Sequence, residues 1–204
     1  MRTIADIMRL APVIPVLVIE DEADARPIAE ALVAGGLPVL EVTLRTPAAL
    51  AAIEEIRKVE GAVVGAGTVL DSRQLEAALG AGAEFIVSPG LTEALGRAAA
   101  AAGAPFLPGV ATAADLMRGY DLGLSHFKFF PAETSGGIPA LKALAGPFGG
   151  AYFCPTGGIT SETAPAWLAL PPVLCVGGSW LVPKGEIDLD AIERRARAAA
   201  AWRG

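Results

Sequence analysis

The sequence contains a single histidine, His126, in 204 residues. Zinc enzymes usually draw on several histidines, so this scarcity argues strongly against a histidine-based metal site. Cysteine is scarce too: Cys154 and Cys175 are the only two, and each lies in its own apolar run, without the paired spacing of a metal or redox site. We interpret both as reduced core residues and expect no bound metal.

The sequence also lacks an excess of basic residues, since its formal net charge is −6. A protein that binds the phosphate backbone of nucleic acid needs a basic face, so the charge favours a small-molecule partner over nucleic acid. Residues Met1–Leu10 carry Arg2, Asp6 and Arg9, which break up any apolar run of the kind found in signal peptides and membrane spans. We therefore expect a cytoplasmic protein with no membrane partner.

The balance of apolar and charged residues is typical of a compact domain. Hydrophobic residues make up 53% of the chain and charged residues 19%, which is enough apolar surface for a core and too little charge for a disordered chain. A length of 204 residues fits one domain, and no low-complexity linker interrupts it. We expect a single domain over residues 1–204.

A recurring pattern runs along the chain: a short apolar run ending in glycine or threonine, an alanine-rich amphipathic stretch, then glycine before the next run. This pattern predicts a βα repeat. Eight candidate strands can be counted: Val13–Ile19, Val39–Leu44, Ala62–Ala66, Glu84–Ser88, Pro105–Pro108, Phe127–Phe130, Tyr152–Thr156 and Val173–Val176. Continuous apolar strands joined by helical crossovers form a parallel sheet. Their number and spacing favour an α/β fold, a closed (β/α)8 TIM barrel, although open Rossmann-like or flavodoxin-like sheets alternate in the same way.

Polar side chains interrupt the second candidate strand, where Glu41, Thr43 and Arg45 share one side at the period of two that a strand imposes. In a parallel barrel the chemistry gathers at the C-terminal ends of the strands. A glutamate that points inward is costly unless it is paired. Glu41 is therefore a candidate catalytic carboxylate, and the alternative is an ion pair that only fills a polar layer of the barrel.

The sixth candidate strand carries Lys128 between aromatic residues, in the segment His126–Pro131. Burial disfavours the ammonium form of a lysine, and a neutral amine can attack a ketone. Lys128 is therefore a candidate nucleophile. The alternative is a lysine whose stem lies on the apolar edge while its charge reaches solvent.

Glycine pairs follow the last two candidate strands. Gly157 and Gly158 end the seventh, and Gly177 and Gly178 end the eighth, just before Ser179. Glycines let backbone N–H groups approach a phosphate closely, and the loops after strands seven and eight are the common phosphate site of such barrels. Two pairs at these two positions predict a phosphate site, with tight turns that bind no ligand as the alternative.

Two further loops complete the ring of strand ends. Thr68 follows Gly65–Ala66–Gly67 and can donate a hydrogen bond to a carboxylate or keto oxygen, although it could equally cap a helix. Pro89 lies in the loop after the fourth candidate strand. The third glycine of a dinucleotide fingerprint is replaced by Leu70, so we expect no nicotinamide cofactor, and none of another kind.

Six segments, in this order along nearly the whole chain, resemble those of the class I 2-keto-3-deoxy-6-phosphogluconate (KDPG) aldolase family, which also includes aldolases of 4-hydroxy-2-oxoglutarate (KHG). They are Leu40–Thr46, Gly65–Leu70, Ser88–Thr92, Phe127–Glu133, Phe153–Ile159 and Gly177–Pro183. The resemblance implies a homotrimeric (β/α)8 barrel that splits KDPG into pyruvate and glyceraldehyde 3-phosphate through a Schiff base, and that in many members also accepts KHG.

The resemblance also implies a role for each candidate residue. Lys128 would form the Schiff base and Glu41 would act as general acid and base. Arg45 and Thr68 would hold the carboxylate end of the substrate, and Phe130 would pack near the imine. The remaining implied contacts are with phosphate, from Gly157, Gly158, Gly178 and Ser179, and with the rest of the substrate, from Pro89 and Thr156.

Two alternatives stay open at this point. A sister aldolase acts on the 6-phosphogalactonate epimer, which differs at C4, and Thr156 resembles the gluconate-type version of the pocket. From another class, the chain could be a non-catalytic phosphosugar-binding barrel or a phosphosugar isomerase, because a fold alone does not fix a function. An isomerase would normally present a glutamate or cysteine base with a histidine, whereas this sequence offers a strand lysine.

Overall fold

The computed structural model of the chain describes residues 2–185 and 187–202. Its strands are β1 (Val13–Leu17), β2 (Val39–Thr43), β3 (Val63–Gly67), β4 (Phe85–Val87), β5 (Phe106–Leu107), β6 (Gly109–Val110), β7 (His126–Phe129), β8 (Tyr152–Pro155) and β9 (Val176–Gly178). Its helices are α1 (Ile4–Met8), α2 (Glu22–Ala34), α3 (Ala49–Ile56), α4 (Ser72–Gly80), α5 (Glu93–Ala101), α6 (Ala113–Asp121), α7 (Gly137–Ala145), α8 (Ala164–Leu168) and α9 (Leu189–Ala200).

The strands form a closed parallel ring. One run of paired strands has the order β5-β4-β3-β2-β1-β9, and a second has the order β6-β7-β8. The two runs meet at Pro108, which separates β5 from β6 and whose carbonyl accepts the N–H of Lys128 at 2.8 Å. They meet again at two isolated bridges: Phe153 of β8 pairs with Val173, just before β9, and Thr156, just after β8, pairs with Gly177 of β9. The prediction of a (β/α)8 barrel is confirmed.

The bounds of two predicted strands, the fifth and the eighth, differ from those in the structure. The fifth, predicted over Pro105–Pro108, covers only β5, which pairs with β4, and the chain continues beyond it into β6, which pairs with β7. Pro108 lies at the break because proline has no N–H to donate to a ladder. The predicted eighth strand, Val173–Val176, begins and ends too early, since β9 covers Val176–Gly178 and Val173 forms only a single bridge.

Side chains alternate between the barrel interior and the helices outside. On β2, Leu40 and Val42 belong to the large core cluster shared with the helices, whereas Val39 belongs to a second, inner cluster. We call this inner cluster the lower layer; it comprises Ile7, Met8, Ile14, Val39, Val63, Phe85, Val87, Leu107, Cys154 and Cys175. Since Ile7 and Met8 come from α1, that short helix closes the N-terminal end of the barrel.

Several helices begin at side-chain caps, which fixes where each loop ends. The side chains of Asp21, Asp71, Thr92, Thr112 and Asp188 each accept a backbone N–H of the helix that follows. No helix in the described part of the chain is long and apolar enough to cross a membrane.

Candidate active site

A buried ion pair lies above the lower layer. The Lys128 Nζ atom, on β7, donates to Glu41 Oε1 at 3.0 Å and to Oε2 at 3.3 Å, from β2 on the far side of the ring. Lys128 is 5% exposed and Glu41 3%. The alternative in which Lys128 reaches solvent is therefore wrong, and the predicted inward direction of Glu41 is confirmed.

The strand pattern explains how the two charges meet. Val39 and Glu41 share one face of β2, so the carboxylate stands one step above the aliphatic lower layer. Gly67 on β3 leaves room for it, because a Cβ at Gly67 would lie 2.1 Å from Glu41 Oε1. The ring of Phe130 covers the amine, with Nζ 5.3 Å from its centroid. Nζ and Oε1 are close enough to exchange a proton directly.

Arg45 and Thr68 form a second pair at the same end of the barrel. Arg45 Nε donates to Thr68 Oγ1 at 3.2 Å. Thr68 has a φ of 59°, the only positive φ of a non-glycine residue in the part of the chain that the structure describes. Such backbone strain concentrates at functional sites, where the surrounding structure holds it in place. A guanidinium has five N–H donors, so this bond uses only one of those that Arg45 carries.

A cavity of about 130 Å³ opens at the C-terminal ends of the strands, and Phe130, whose ring covers Lys128 Nζ, forms part of its wall. Its walls contain seven residues that the sequence analysis singled out, namely Arg45, Phe130, Thr156, Gly157, Gly158, Gly177 and Ser179. Two further wall residues, Val16 and Ile159, were not predicted, and Lys128, Glu41 and Thr68 do not line the cavity. Val16 lies opposite Glu41 in the register of β1 and β2, a pairing that the sequence alone does not give.

The two glycine pairs occupy different positions relative to this cavity. Gly157 and Gly158 both line it with positive φ, 104° and 80°, which side chains rarely adopt. From the second pair, Gly177 lines the wall and a Cβ there would lie 2.2 Å from Thr156 Oγ1. Gly178 instead packs against the Trp180 ring, 2.2 Å from a Cβ placed on it. Of the second pair, Gly177 therefore lines the cavity, whereas Gly178, the member that the family resemblance assigned to the phosphate, does not.

Pro89 lies apart from the cavity walls. Its carbonyl oxygen packs against β6, since a Cβ at Gly109 would lie 2.1 Å from it. Gly109 pairs in register with Lys128. Pro89 therefore borders the strand next to the buried amine. Among the residues described, no group of three or more histidine, cysteine or acidic side chains could hold a metal ion.

Comparison with known proteins identifies the family. Residues 4–195 match the family model "Aldolase: KDPG and KHG aldolase". The chain belongs to this family. It is 63% identical over 203 residues to the 2-dehydro-3-deoxy-phosphogluconate aldolase of Zymomonas mobilis, covering 100% of this chain and 98% of that protein. It is thus an aldolase, a carbon–carbon lyase, and both the predicted family and the predicted enzyme class are confirmed.

Solved structures agree with this assignment. The crystal structure of the Zymomonas mobilis KDPG aldolase with 3-phosphoglycerate superposes with a TM-score of 0.98 at 62% identity, covering 100% of this chain and 97% of that one. The Legionella pneumophila KDPG aldolase, with pyruvate captured as a covalent carbinolamine, superposes with a TM-score of 0.95 at 46% identity, covering 98% of each chain.

Proposed function

We propose that the chain cleaves KDPG into pyruvate and glyceraldehyde 3-phosphate, with Lys128 as the Schiff-base nucleophile and Glu41 as the general acid and base. The observation that carries this proposal is the buried pair of Lys128 Nζ and Glu41 Oε1, 3.0 Å apart beside the strand-end cavity. The carbinolamine of pyruvate in the Legionella pneumophila aldolase supports the same chemistry.

The geometry allows each proton transfer to pass through one carboxylate. Lys128 Nζ attacks the C2 carbonyl to form a carbinolamine, and Glu41 assists the loss of water to give a protonated imine. The imine accepts the electron pair of the C3–C4 bond while Glu41 takes the proton of the C4 hydroxyl, so glyceraldehyde 3-phosphate leaves and an enamine remains. Protonation of that enamine at C3 and hydrolysis release pyruvate and the free amine. General acid–base assistance of this kind contributes ~10²–10⁴-fold to the rate.

The remaining cavity residues would fix the substrate at its two ends. Arg45 and Thr68 would bind the carboxylate, because a guanidinium can bind it with two hydrogen bonds. The backbone around Gly157, Gly158 and Gly178, together with Ser179, would bind the phosphate. Phe130 would pack against the imine, and Thr156 and Pro89 would border the carbon chain between the two ends.

The choice of substrate can be tested directly. The family model names both KDPG and KHG, so we expect KHG to be cleaved to pyruvate and glyoxylate as well. Thr156 lines the cavity and resembles the gluconate-type version of the pocket, so we choose the gluconate over the galactonate epimer. Comparing kcat/KM for the two 6-phosphate epimers tests this choice, and a clear galactonate preference would reverse it.

We also propose that the enzyme is a cytoplasmic homotrimer acting as one domain. The trimeric assembly is the one that the resemblance to the aldolase family implies. Light scattering on a size-exclusion column measures the mass, and a monomer of 20.7 kDa would contradict this assembly.

Borohydride reduction in the presence of pyruvate, followed by peptide mass mapping, tests the nucleophile. We expect a pyruvyl adduct on Lys128 of the wild type and none on Lys128→Ala. Lys142→Ala is the matched control, because Lys142 is exposed on α7 and its variant should still form the adduct. An adduct on another lysine, or none, would reject Lys128. A non-catalytic sugar-phosphate binder would bind KDPG without releasing pyruvate.

A further inference from the structure

The Gly157–Gly158 turn is supported from behind by the segment that follows β7. The backbone N–H of Ala132 donates to the carbonyl of Thr156 at 2.8 Å, and that of Glu133 donates to the carbonyl of Gly157 at 3.1 Å. These bonds attach the chain after Lys128 to the turn that lines the cavity. Glu133 itself is not among the residues that line that cavity.

The Glu133 side chain connects this turn to a buried tryptophan. A Cβ at Gly158 would lie 2.8 Å from both Cβ and Cγ of Glu133, so the glutamate stem packs directly against the Gly158 backbone. Beyond the stem, Glu133 Oε1 accepts the indole N–H of Trp167 at 2.9 Å. Trp167 is 1% exposed on α8, the helix that follows the turn along the chain. Glu133 therefore bridges the two ends of the segment that carries Gly157 and Gly158.

We propose that Glu133 is a positioning residue that holds the Gly157–Gly158 turn in the geometry that binds the substrate phosphate. This inference rests on the proposed function, which assigns that turn to the phosphate. Within the described residues no lysine or arginine forms an ion pair with Glu133, and its side chain accepts its hydrogen bond from the neutral indole. A negative charge on Glu133 would repel the phosphate. Glu133 therefore supports the turn through its aliphatic stem and its acceptor oxygen, and not through its charge.

Three substitutions of Glu133 distinguish the effects of the stem, the acceptor oxygen and the charge. Glu133→Gln keeps both the stem and an acceptor oxygen for the indole and should behave like the wild type. Glu133→Ala removes both, so Gly158 loses the surface that it packs on. Glu133→Asp keeps the charge but draws the carboxylate back by one methylene, away from the Trp167 N–H.

The test compares a substrate that has a phosphate with a ligand that lacks one. We measure kcat and KM for KDPG, and the half-saturating concentration of pyruvate for borohydride trapping, in the wild type and each variant. For Glu133→Ala we expect the KM for KDPG to rise about 10-fold, equivalent to ~1.4 kcal/mol and thus to one hydrogen bond, with pyruvate trapping unchanged. Glu133→Asp should show part of that rise and Glu133→Gln none. Glu162→Ala is the matched control, because Glu162 borders the same outer groove as Glu133 but contacts Ser161 rather than the turn.

Three results would overturn the inference. An equal loss for KDPG and pyruvate in Glu133→Ala would indicate a general effect on the fold, and an unchanged KM for KDPG would remove the role altogether. Loss of KDPG affinity in Glu133→Gln would mean that the charge itself matters. If Glu133→Ala does not fold, the comparison between Asp and Gln decides by the same criteria. Failure of the wild type to trap pyruvate would instead reject the proposed function.

Discussion

The two ends of the barrel interior are built by the same strands and have opposite chemistry. The lower layer is aliphatic and aromatic and is closed by Ile7 and Met8 of α1. Two residues further along β2, the interior instead holds Glu41 against Lys128. A single strand thus supplies a core side chain, Val39, and a candidate catalytic one, because its period of two places both inside.

The difference in polarity between the two ends indicates which of them stabilises the fold. Burying an aliphatic side chain contributes about 1.5–3 kcal/mol, so the lower layer is a direct source of stability. A buried ion pair at best roughly balances its own desolvation cost, and hydrophobic residues of similar volume often do as well or better. The Lys128–Glu41 pair is therefore best explained by chemistry at the open end.

Removing one charge of the pair should produce the largest effects. Lys128→Met removes the nucleophile and leaves Glu41 buried without its partner. We expect activity to fall by ~10³-fold or more and the free energy of unfolding to fall by about 3 kcal/mol. The double variant Lys128→Met/Glu41→Gln should recover most of the stability and none of the activity. Urea unfolding and a pyruvate-release assay measure the two quantities.

A stability of Lys128→Met equal to that of the wild type would contradict this account, because it would mean that Glu41 does not depend on its partner. Glu41→Gln alone is the matched control. It keeps the shape of the side chain and a hydrogen-bond acceptor for the lysine.

Two glycines on β3 test the comparison within one strand. A Cβ at Gly67 would lie 2.1 Å from Glu41 Oε1, whereas a Cβ at Gly65 would lie 2.4 Å from the ring of Phe85 in the lower layer. Gly67→Ala should displace the carboxylate and lower kcat by about 10²-fold, the cost of a misplacement near 1 Å. Gly65→Ala should overpack the core and cost about 1–3 kcal/mol of stability, with the kcat of the folded enzyme largely retained. Measurements of kcat and of the melting temperature test this prediction. A lower kcat in Gly65→Ala with a lower stability in Gly67→Ala would contradict the division of the interior into a stabilising end and a catalytic end.

Much of this arrangement could be predicted because it follows local rules. The inward direction of Glu41 follows from the alternation of polar and apolar residues on β2. The identity of the strands follows from apolar runs that end in glycine or threonine. Gly157 and Gly158 stand out as a pair at a strand end, where a turn close to a ligand needs positive φ.

Other features depend on register and distance, which a single sequence does not contain. The cavity wall includes Gly177 rather than Gly178 because the Thr156↔Gly177 bridge sets how β8 meets β9. The break at Pro108 arises because the chain pairs with β4 before this residue and with β7 after it, and the sequence alone does not show either pairing. The hydrogen bond of Trp167 to Glu133 joins residues 34 positions apart, and no local pattern indicates it.

The smallest expected effect comes from His126, which lies on the same side of β7 as Lys128, two residues nearer to the lower end. Burial, and to a lesser degree the Arg9 charge, lower its pKa from the ordinary value of 6.5. Its Nδ1 lies 3.0 Å from Ser125 Oγ, its ring stacks on Tyr152, and its Nε2 is buried without a hydrogen-bond partner among the described residues. The folded protein therefore favours the neutral ring.

The sign of the pH dependence follows from this preference. Below pH 6.5 the unfolded chain binds a proton at His126 more readily than the folded chain, so protonation favours unfolding. Stability contributed by the neutral ring is present above that pH and is lost as the pH falls towards the lowered pKa of the folded state. His126→Gln cannot titrate there, so it should lose less stability than the wild type between pH 7.5 and pH 5.5. Melting temperatures at the two pH values, compared between wild type and variant, isolate His126 from carboxylates that titrate in both proteins. The kcat of His126→Gln should equal that of the wild type at pH 7.5, because His126 lies away from the Lys128–Glu41 pair. An equal fall in melting temperature in the two proteins would show that the charge of the His126 ring does not affect the stability of this end of the barrel.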